Sequence, residues 1–490
     1  MAMDYTGILV LVVSFLILLI IGVPIAYSIG ISGILTMLVS IESIAAFTTF
    51  AHRMATGLDS FTLLAIPFFI LAGNIMNSGG IARRLIDFAR VLVGGLPGGL
   101  AFVNVVANML FGAISGSAAA SASAIGSIMG PAMKKEGYDE NYSAAVNIAS
   151  ATTGLSIPPS NILIVYSLAS GGVSITALFL AGYVPGILTG FGIMLMAVSM
   201  LIYKTKGIIG VSRMLFMLML VILGLGLIGM GLQYAVVTFN PVVNYGIAGL
   251  LIAGILLYAG SKFRKKDSRV RAGVITFMDA LPSLFMLIIV IGGIVAGFFT
   301  ATEASAIAVL YSLILAFLYR EIKVHHLPSI ILNSVKTTAV VMLLIATSIA
   351  LSWIMSYENI PQNVSAGLMD VSNNPFVILL IINLILLFVG IFMDMTPAVL
   401  IFTPIFLPVV TTQLGLSPIH FGIIMVLNLS IGLCTPPVGS VLFIGCSVAK
   451  IPIAKVIRPL IPLFIAMIIV LLLVTYIPAL SLWLPGLLDY

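Results

Sequence analysis

Apolar residues run along the chain in long blocks, separated by short clusters of glycine, proline and charge. Ile8 to Ile21 and Leu460 to Ile477 contain no charged residue. A membrane-spanning helix needs about 20 apolar residues. No strand-like alternation of polar and apolar positions appears, which argues against a barrel. The pattern predicts an all-α polytopic membrane protein. Membrane helices are expected at 7–22, 24–40, 61–76, 280–299, 301–319 and 340–355, with closing spans at 174–203 and 459–484. More polar amphipathic segments at 79–92 and 358–372 lead into stretches at 98–133 and 376–408, then into 140–170 and 418–447.

The order of these elements repeats. Gly154-Leu155-Ser156-Ile157-Pro158-Pro159 returns as Gly432-Leu433-Cys434-Thr435-Pro436-Pro437, an offset of 278, and these hold the only Pro-Pro pairs in the chain. Gly112 matches Gly390 at the same offset, and Ile75-Met76 matches Ile354-Met355 at 279. Proline removes a backbone donor and clashes with the preceding turn. Within a bilayer such a break survives only where it is buried in protein or lines a cavity. Paired broken helices at corresponding positions of two halves point to a transporter's binding site.

Charge fixes the orientation. The chain is 61% hydrophobic and 7% charged, with a net charge of +6. Its Lys and Arg residues sit between apolar spans, so they read as topology signals beside lipid headgroups, not as a nucleic-acid surface. If 98–133 and 376–408 are hairpins that enter and leave on one side, Arg83, Arg84, Arg90, Lys134, Lys135, Lys204, Lys206, Arg213, the run Lys262 to Arg271, Arg320, Lys323, Lys336, Lys450, Lys455 and Arg458 all share one side. Only Arg53 lies opposite. The positive-inside rule therefore favours two inverted repeats of five spans, each with a re-entrant hairpin and a broken helix, and both termini outside. Two extra central spans, Leu215 to Leu232 and Val242 to Tyr258, bring the expectation to about 12 spans plus 2 hairpins. The expected divisions are 1–205 (scaffold helices in 1–57, transport elements in 61–203), an inserted two-helix segment and basic cytoplasmic linker over 206–265, and 266–490. The start shows no basic segment or cleavage site of a removable signal peptide.

Candidate chemistry concentrates at the hairpin tips. The first tip, Gly112 to Ser123, offers hydroxyls such as Ser115, Ser117 and Ser121 and close backbone approach at Gly116. Tight helix packing enriches the same residue types. The second tip holds Asp394, a carboxylate in an apolar stretch, which suggests function or a helix cap before Pro397. Breaking a helix frees carbonyls suited to sodium and amides suited to an anion. Asp59 reads as a cap of the 61–76 helix, and Glu303 and Asp279 as favourable charges near helix starts. The His residues read as interfacial groups and the two cysteines as unpaired thiols. No nucleotide-binding loop, catalytic triad or metal-ligand spacing stands out. An intramembrane enzyme or a channel fits less well than alternating access.

The chain resembles the large membrane subunit of the TRAP (tripartite ATP-independent periplasmic) transporters. The resemblance is carried by Ala65-Ile66-Pro67-Phe68-Phe69 with Ala72-Gly73, by Gly297 to Ala304, by Gly390 to Pro404 and by Leu427 to Gly439. It spans 1–205 and 266–490. The resemblance implies sodium-driven import of a small organic anion by an elevator-type movement in the bacterial inner membrane. It implies one sodium site at Ser115, Gly116, Ser117 and Asn161, and another at Asp394, Thr396, Thr435 and Gly439. Substrate would lie between the tips, near Ser117, Ser121, Pro159, Ser160, Thr396 and Pro437. It further implies a periplasmic substrate-binding protein and a small four-helix membrane subunit, expected as separate chains; a stand-alone sodium/anion symporter is the alternative. The extra spans depart from the family pattern.

Overall fold

The computed structural model describes residues 6–96, 98–238, 268–436 and 439–488, and every regular element among them is helical. Among the described residues eight helices are long and apolar enough to cross a membrane, including Gly273–Val295, Ala301–Leu318 and Ile453–Tyr476. The chain is a multi-pass membrane protein. Of the two extra central spans, 215–232 lies within a helix that continues to Thr238 past a backbone break at Gly207 (φ 63°, ψ −163°). Val242 to Tyr258 falls outside the described residues.

Thr6–Ile21 and Ile25–Ser40 pack together, and Ile25–Ser40 also packs on Leu327–Tyr357. Gly33 permits that approach: a Cβ there would lie 3.1 Å from the Phe50 ring and 3.2 Å from Ile354. Phe50 belongs to Ser43–Leu58, a helix the apolar blocks do not reveal. Thr48, Thr49, His52 and Arg53 interrupt its hydrophobicity, and only a stripe containing Ala46 and Phe50 is buried. Asp59 does not cap the next helix. It ends this one, its backbone N–H donating to the Thr56 carbonyl at 3.2 Å. A short 3₁₀ turn, Phe61–Leu64, then leads into Ala65–Ser78.

The second half differs here. Where the pattern predicts a helix over 340–355, one continuous 31-residue helix, Leu327–Tyr357, is present. Asn333, Ser334, Lys336 and Thr337 make its first turns polar, so the apolar run alone understates its length. Pro328 is tolerated because the first turn has no intrahelical use for its missing N–H. The C-terminal span likewise divides into Ile453–Tyr476 and Ala479–Leu487.

Each half contains a helical hairpin. The first joins Gly99–Ser115 to Ala118–Lys135 through Gly116, whose φ of 62° suits glycine. The second joins Pro375–Phe392 to Met395–Pro408. Each half also contains an interrupted helix: Glu140–Ala151 followed by Asn161–Ala169, and Pro418–Gly432 followed by Ser440–Ala449. Hairpin and interrupted helix cross at backbone contact. A Cβ on Gly112 would lie 2.9 Å from the Gly154 Cα, and one on Gly390 would lie 3.1 Å from the Gly432 Cα. The glycines that recur at an offset of 278 are therefore contact partners within each half.

The halves also interlock. Ala118–Lys135 packs on Ser440–Ala449, and Met395–Pro408 packs on Asn161–Ala169. Buried amides hold the crossings. Asn108 donates to Asn104 Oδ1 at 2.7 Å, Asn147 Oδ1 at 3.1 Å and Ser150 Oγ at 2.8 Å. In the second half Asn428 donates to Asn383 Oδ1 at 2.8 Å, and Asn383 donates to Thr475 Oγ1 at 3.2 Å. Lipid is as apolar as leucine, so small residues and such hydrogen bonds carry helix association.

Residues assigned to one side by charge meet one another. Arg84 pairs with Glu321 at 3.8 Å and lies 3.6 Å from the Tyr319 ring centroid. Lys134 pairs with Glu140 at 2.5 Å, and Lys134 and Lys450 line one cavity. At another end Arg53 lies 5.2 Å from the Trp353 ring centroid.

Candidate functional site

Both hairpin tips and both interruptions border one cavity of about 370 Å³. Four helices begin at its wall: Ala118–Lys135, Asn161–Ala169, Met395–Pro408 and Ser440–Ala449. Their first residues Ala118, Asn161, Met395 and Ser440 all line the space. The first N–H groups of a helix have no intrahelical acceptor. Side chains cap two of the four. Ser117 Oγ accepts the Ala120 N–H at 3.2 Å, and Asp394 Oδ1 accepts the Met395 N–H at 3.0 Å. Asn161–Ala169 and Ser440–Ala449 carry no side-chain cap, but the Val441 and Leu442 N–H groups of the latter donate to the Leu433 carbonyl at 3.1 and 3.4 Å, so it is the first turn of Asn161–Ala169 that keeps its donors and positive dipole end for an anion.

The first tip brings Ser115, Gly116, Ser117 and Asn161 together on the cavity wall. Asn161 is so close to the tip that a Cβ on Gly116 would lie 2.9 Å from its Nδ2. The Ser115 hydroxyl makes only long bonds, donating to the Ser117 carbonyl and accepting the Ser117 N–H, each at 3.4 Å. At the second tip Asp394 and Thr396 line the same wall, and Asp394 acts as the helix cap. It is the only charged residue on that wall among the described residues.

Other expected residues lie behind this wall. Thr435 donates its hydroxyl to the Ile431 carbonyl at 2.9 Å, and Gly439 donates its N–H to the Thr435 carbonyl at 3.0 Å. A Cβ on Gly439 would come within 2.6 Å of the Leu433 carbonyl oxygen. Ser121 is fully buried and donates to Asn108 Oδ1 at 2.7 Å, so it braces the hairpin from inside. Ser160 is buried and donates to the Leu155 carbonyl at 2.5 Å. Pro159 is also buried, whereas Pro437 falls outside the described residues. Ser156, in the first interruption, has a buried hydroxyl without a partner.

One wall went unread at the sequence level. Ile66, Ile70, Gly73 and Asn74 from Ala65–Ser78, with Thr337 and Val341 from Leu327–Tyr357, complete the cavity. A Cβ on Gly73 would lie 2.7 Å from the Ser115 carbonyl oxygen, so glycine lets the first tip rest against this helix. Asn74 Nδ2 donates to Ser334 Oγ at 2.8 Å across the two helices. The available signal was an amide, Asn74, within the apolar part of a helix; intramembrane polar residues usually face a protein interior or cavity. The capping box of Thr300 and Glu303, with a 2.8 Å bond from the Thr300 N–H to the carboxylate, is remote from this wall. Asp279 lies inside Ser268–Val295, its carbonyl accepting from the Tyr319 hydroxyl at 3.4 Å. His420, fully buried, bonds Ser481 at 2.6 Å, which ties the second interrupted helix to Ala479–Leu487.

Comparison with known proteins identifies the family. Residues 12–480 match the model of the tripartite ATP-independent periplasmic transporter, DctM component. The chain is 50% identical to the uncharacterized protein YgiK of Salmonella typhimurium, over 98% of this chain and 97% of that protein. It is 37% identical to the C4-dicarboxylate TRAP transporter large permease protein DctM of Pseudomonas aeruginosa, over 94% of each. It is 34% identical to the sialic acid TRAP transporter large permease protein SiaM of Vibrio cholerae, over 96% of each. Among solved structures, the YdaH transporter of Alcanivorax borkumensis shares the fold with a TM-score of 0.57 at 14% identity, covering 90% of this chain and 88% of that one. The chain belongs to the DctM family, the large permease component of TRAP transporters, and is a transporter rather than an enzyme.

Proposed function

We propose that the chain imports a small organic anion, driven by sodium, across the bacterial inner membrane. The observation that carries this reading is the convergence of four helix N-termini and one carboxylate on a single cavity. The uncapped N-terminus of Asn161–Ala169 suits a carboxylate. The first cation site uses Ser115, Gly116, Ser117 and Asn161 with neighbouring carbonyls. The second uses Asp394 and Thr396, backed by Thr435 and Gly439. Hydroxyl, carbonyl and carboxylate oxygens are the ligands a hard cation takes. The orphan Ser156 hydroxyl is a further oxygen of this kind.

Movement follows an elevator scheme within two inverted repeats, 1–205 and 266–490, around the inserted segment 206–265. Hairpins and interrupted helices travel together because they interlock. Thr6–Ser40, 280–319 and the arms Phe61–Ser78 and Leu327–Tyr357 stay fixed, so of the transport stretch expected over 61–203 only the part beyond Ser78 moves. Asn74 and Thr337 lie toward the arm ends that carry Arg83, Arg84 and Lys323, the side that charge assigns to the cytoplasm. This placement supports reading the conformation as inward-facing. A separate periplasmic binding protein delivers substrate, and a small four-helix subunit completes the membrane part.

The test is uptake into proteoliposomes holding the permease, the small membrane protein and the binding protein encoded beside it. The expected result is accumulation of an organic acid that needs an inward sodium gradient and the binding protein. Accumulation unaffected by removing sodium would refute the coupling. Accumulation without the binding protein would point to a stand-alone symporter.

A further inference from the structure

The two sides of the cavity offer opposite hydrogen-bonding chemistry. On the tip side, the uncapped N-terminus of Asn161–Ala169 presents donors. On the arm side, the polar groups are Asn74 and Thr337, set among Ile66, Ile70 and Val341. Their protons can be followed one by one. Ser334 Oγ lies 2.8 Å from the Ile330 carbonyl, which can only accept, so the Ser334 hydroxyl proton points there. Ser334 Oγ must then accept from Asn74, which fixes the amide nitrogen at Ser334 and turns the Asn74 carbonyl oxygen the other way. Thr337 Oγ1 donates to the Asn333 carbonyl at 3.1 Å, which spends its proton too. The Asn74 carbonyl and the Thr337 hydroxyl oxygen are left as acceptors.

A carboxylate cannot satisfy these acceptors, because it only accepts. A hydroxyl can satisfy one of them, since it donates its single proton to the Asn74 carbonyl or to Thr337 Oγ1 and still accepts the remaining Asn74 N–H. We infer that the permease selects hydroxylated organic acids, with the carboxylate at the N-terminus of Asn161–Ala169 and a hydroxyl at the Asn74 and Thr337 side, over acids that lack the hydroxyl. Asn74 and Thr337 are then specificity-determining residues on the fixed side of the site. Asn74 is half-buried and Thr337 exposed, so it is the bound acid that covers these acceptors, and leaving one unpaired beneath it is what penalises the analogue without a hydroxyl. This inference rests on the anion-transport reading above.

The experiment measures sodium-dependent binding of matched acids to the full-length permease in lipid nanodiscs. Succinate is paired with L-malate, and adipate with D-glucarate; each pair shares its carbon chain and differs in hydroxyls. In the wild type the hydroxylated member of a pair should bind about tenfold tighter. Asn74→Ala and Thr337→Val should each bring that ratio toward one. Thr337→Val removes only a bond within its own helix, so its fold should persist even if Asn74→Ala disturbs the arms. Acids that bind in sodium with a ratio near one, or a ratio that survives both substitutions, would overturn the selection and leave the transport reading standing. No sodium-dependent binding of any of these acids to the wild type would overturn both.

Discussion

The two hairpin crossings use the same backbone solution and different side-chain chemistry. In each half a hairpin glycine meets an interrupted-helix glycine, Gly112 on Gly154 and Gly390 on Gly432, with no side chain between them. Around the first crossing the tip has hydroxyls and an amide, Ser115, Ser117 and Asn161, and the network behind it is Asn104, Asn108, Ser121, Asn147 and Ser150. Around the second the tip has a carboxylate, Asp394, and the network is Asn383, Asn428 and Thr475. Geometry that brings two backbones into contact admits one residue type. Chemistry that binds an ion or a hydroxyl admits several. The halves have kept the first and varied the second.

The most damaging change should be at the shared feature. Gly154→Ala places a methyl against the Gly112 and Ala113 backbone, where no side chain can give way. Overpacking typically costs about 1–3 kcal/mol and here should reach the upper end or beyond. The expected result is aggregation or a clear loss of thermal stability by size-exclusion chromatography, with Gly432→Ala behaving alike. Wild-type stability of either variant would show that the crossing is looser than its contacts imply.

Asp394→Asn tests the difference between the tips. Asparagine caps a helix about as well as aspartate, so folding should persist. Sodium-dependent uptake should fall about tenfold or more, about 1.4 kcal/mol in the transport barrier. Uptake with unchanged sodium dependence would leave Asp394 as a cap alone. Ser117→Ala is the milder counterpart at the first tip. It removes the cap on Ala120 and costs about 1 kcal/mol of stability. Its effect on apparent sodium affinity should be smaller than that of Asp394→Asn, because no charge is lost; an equal or larger effect would reverse the ranking of the two sites.

Labelling sharpens the same comparison without perturbing it. Single cysteines at Lys134 and Lys450 should react with an impermeant thiol reagent only from the cytoplasm, and one at Asn374 only from outside. Labelling of Lys134→Cys in intact cells would exclude inverted hairpins.

Much of this arrangement is legible in the chain because a membrane restricts what a helix break can mean. The Pro-Pro pairs mark both interruptions, and matching glycines mark both crossings. The boundaries expected for the hairpins, 98–133 and 376–408, lie within a few residues of those present. The arms were less legible. Ser43–Leu58 and the first turns of Leu327–Tyr357 are too polar to register as apolar blocks, although both are helices packed on neighbours.

The sequence by itself determined the helical class, the repeated order of elements and the tip residues that face the cavity, since hydrophobic length, proline and glycine act locally. Only the tertiary structure decided which hydroxyls are spent. Ser121 and Ser160 resemble Ser117 in the chain, yet the first two donate inward to Asn108 and Leu155. It also placed Asn74 and Thr337, from different halves, on one wall. A side chain's partners depend on which helices lie beside it, and periodicity along a single helix does not encode that.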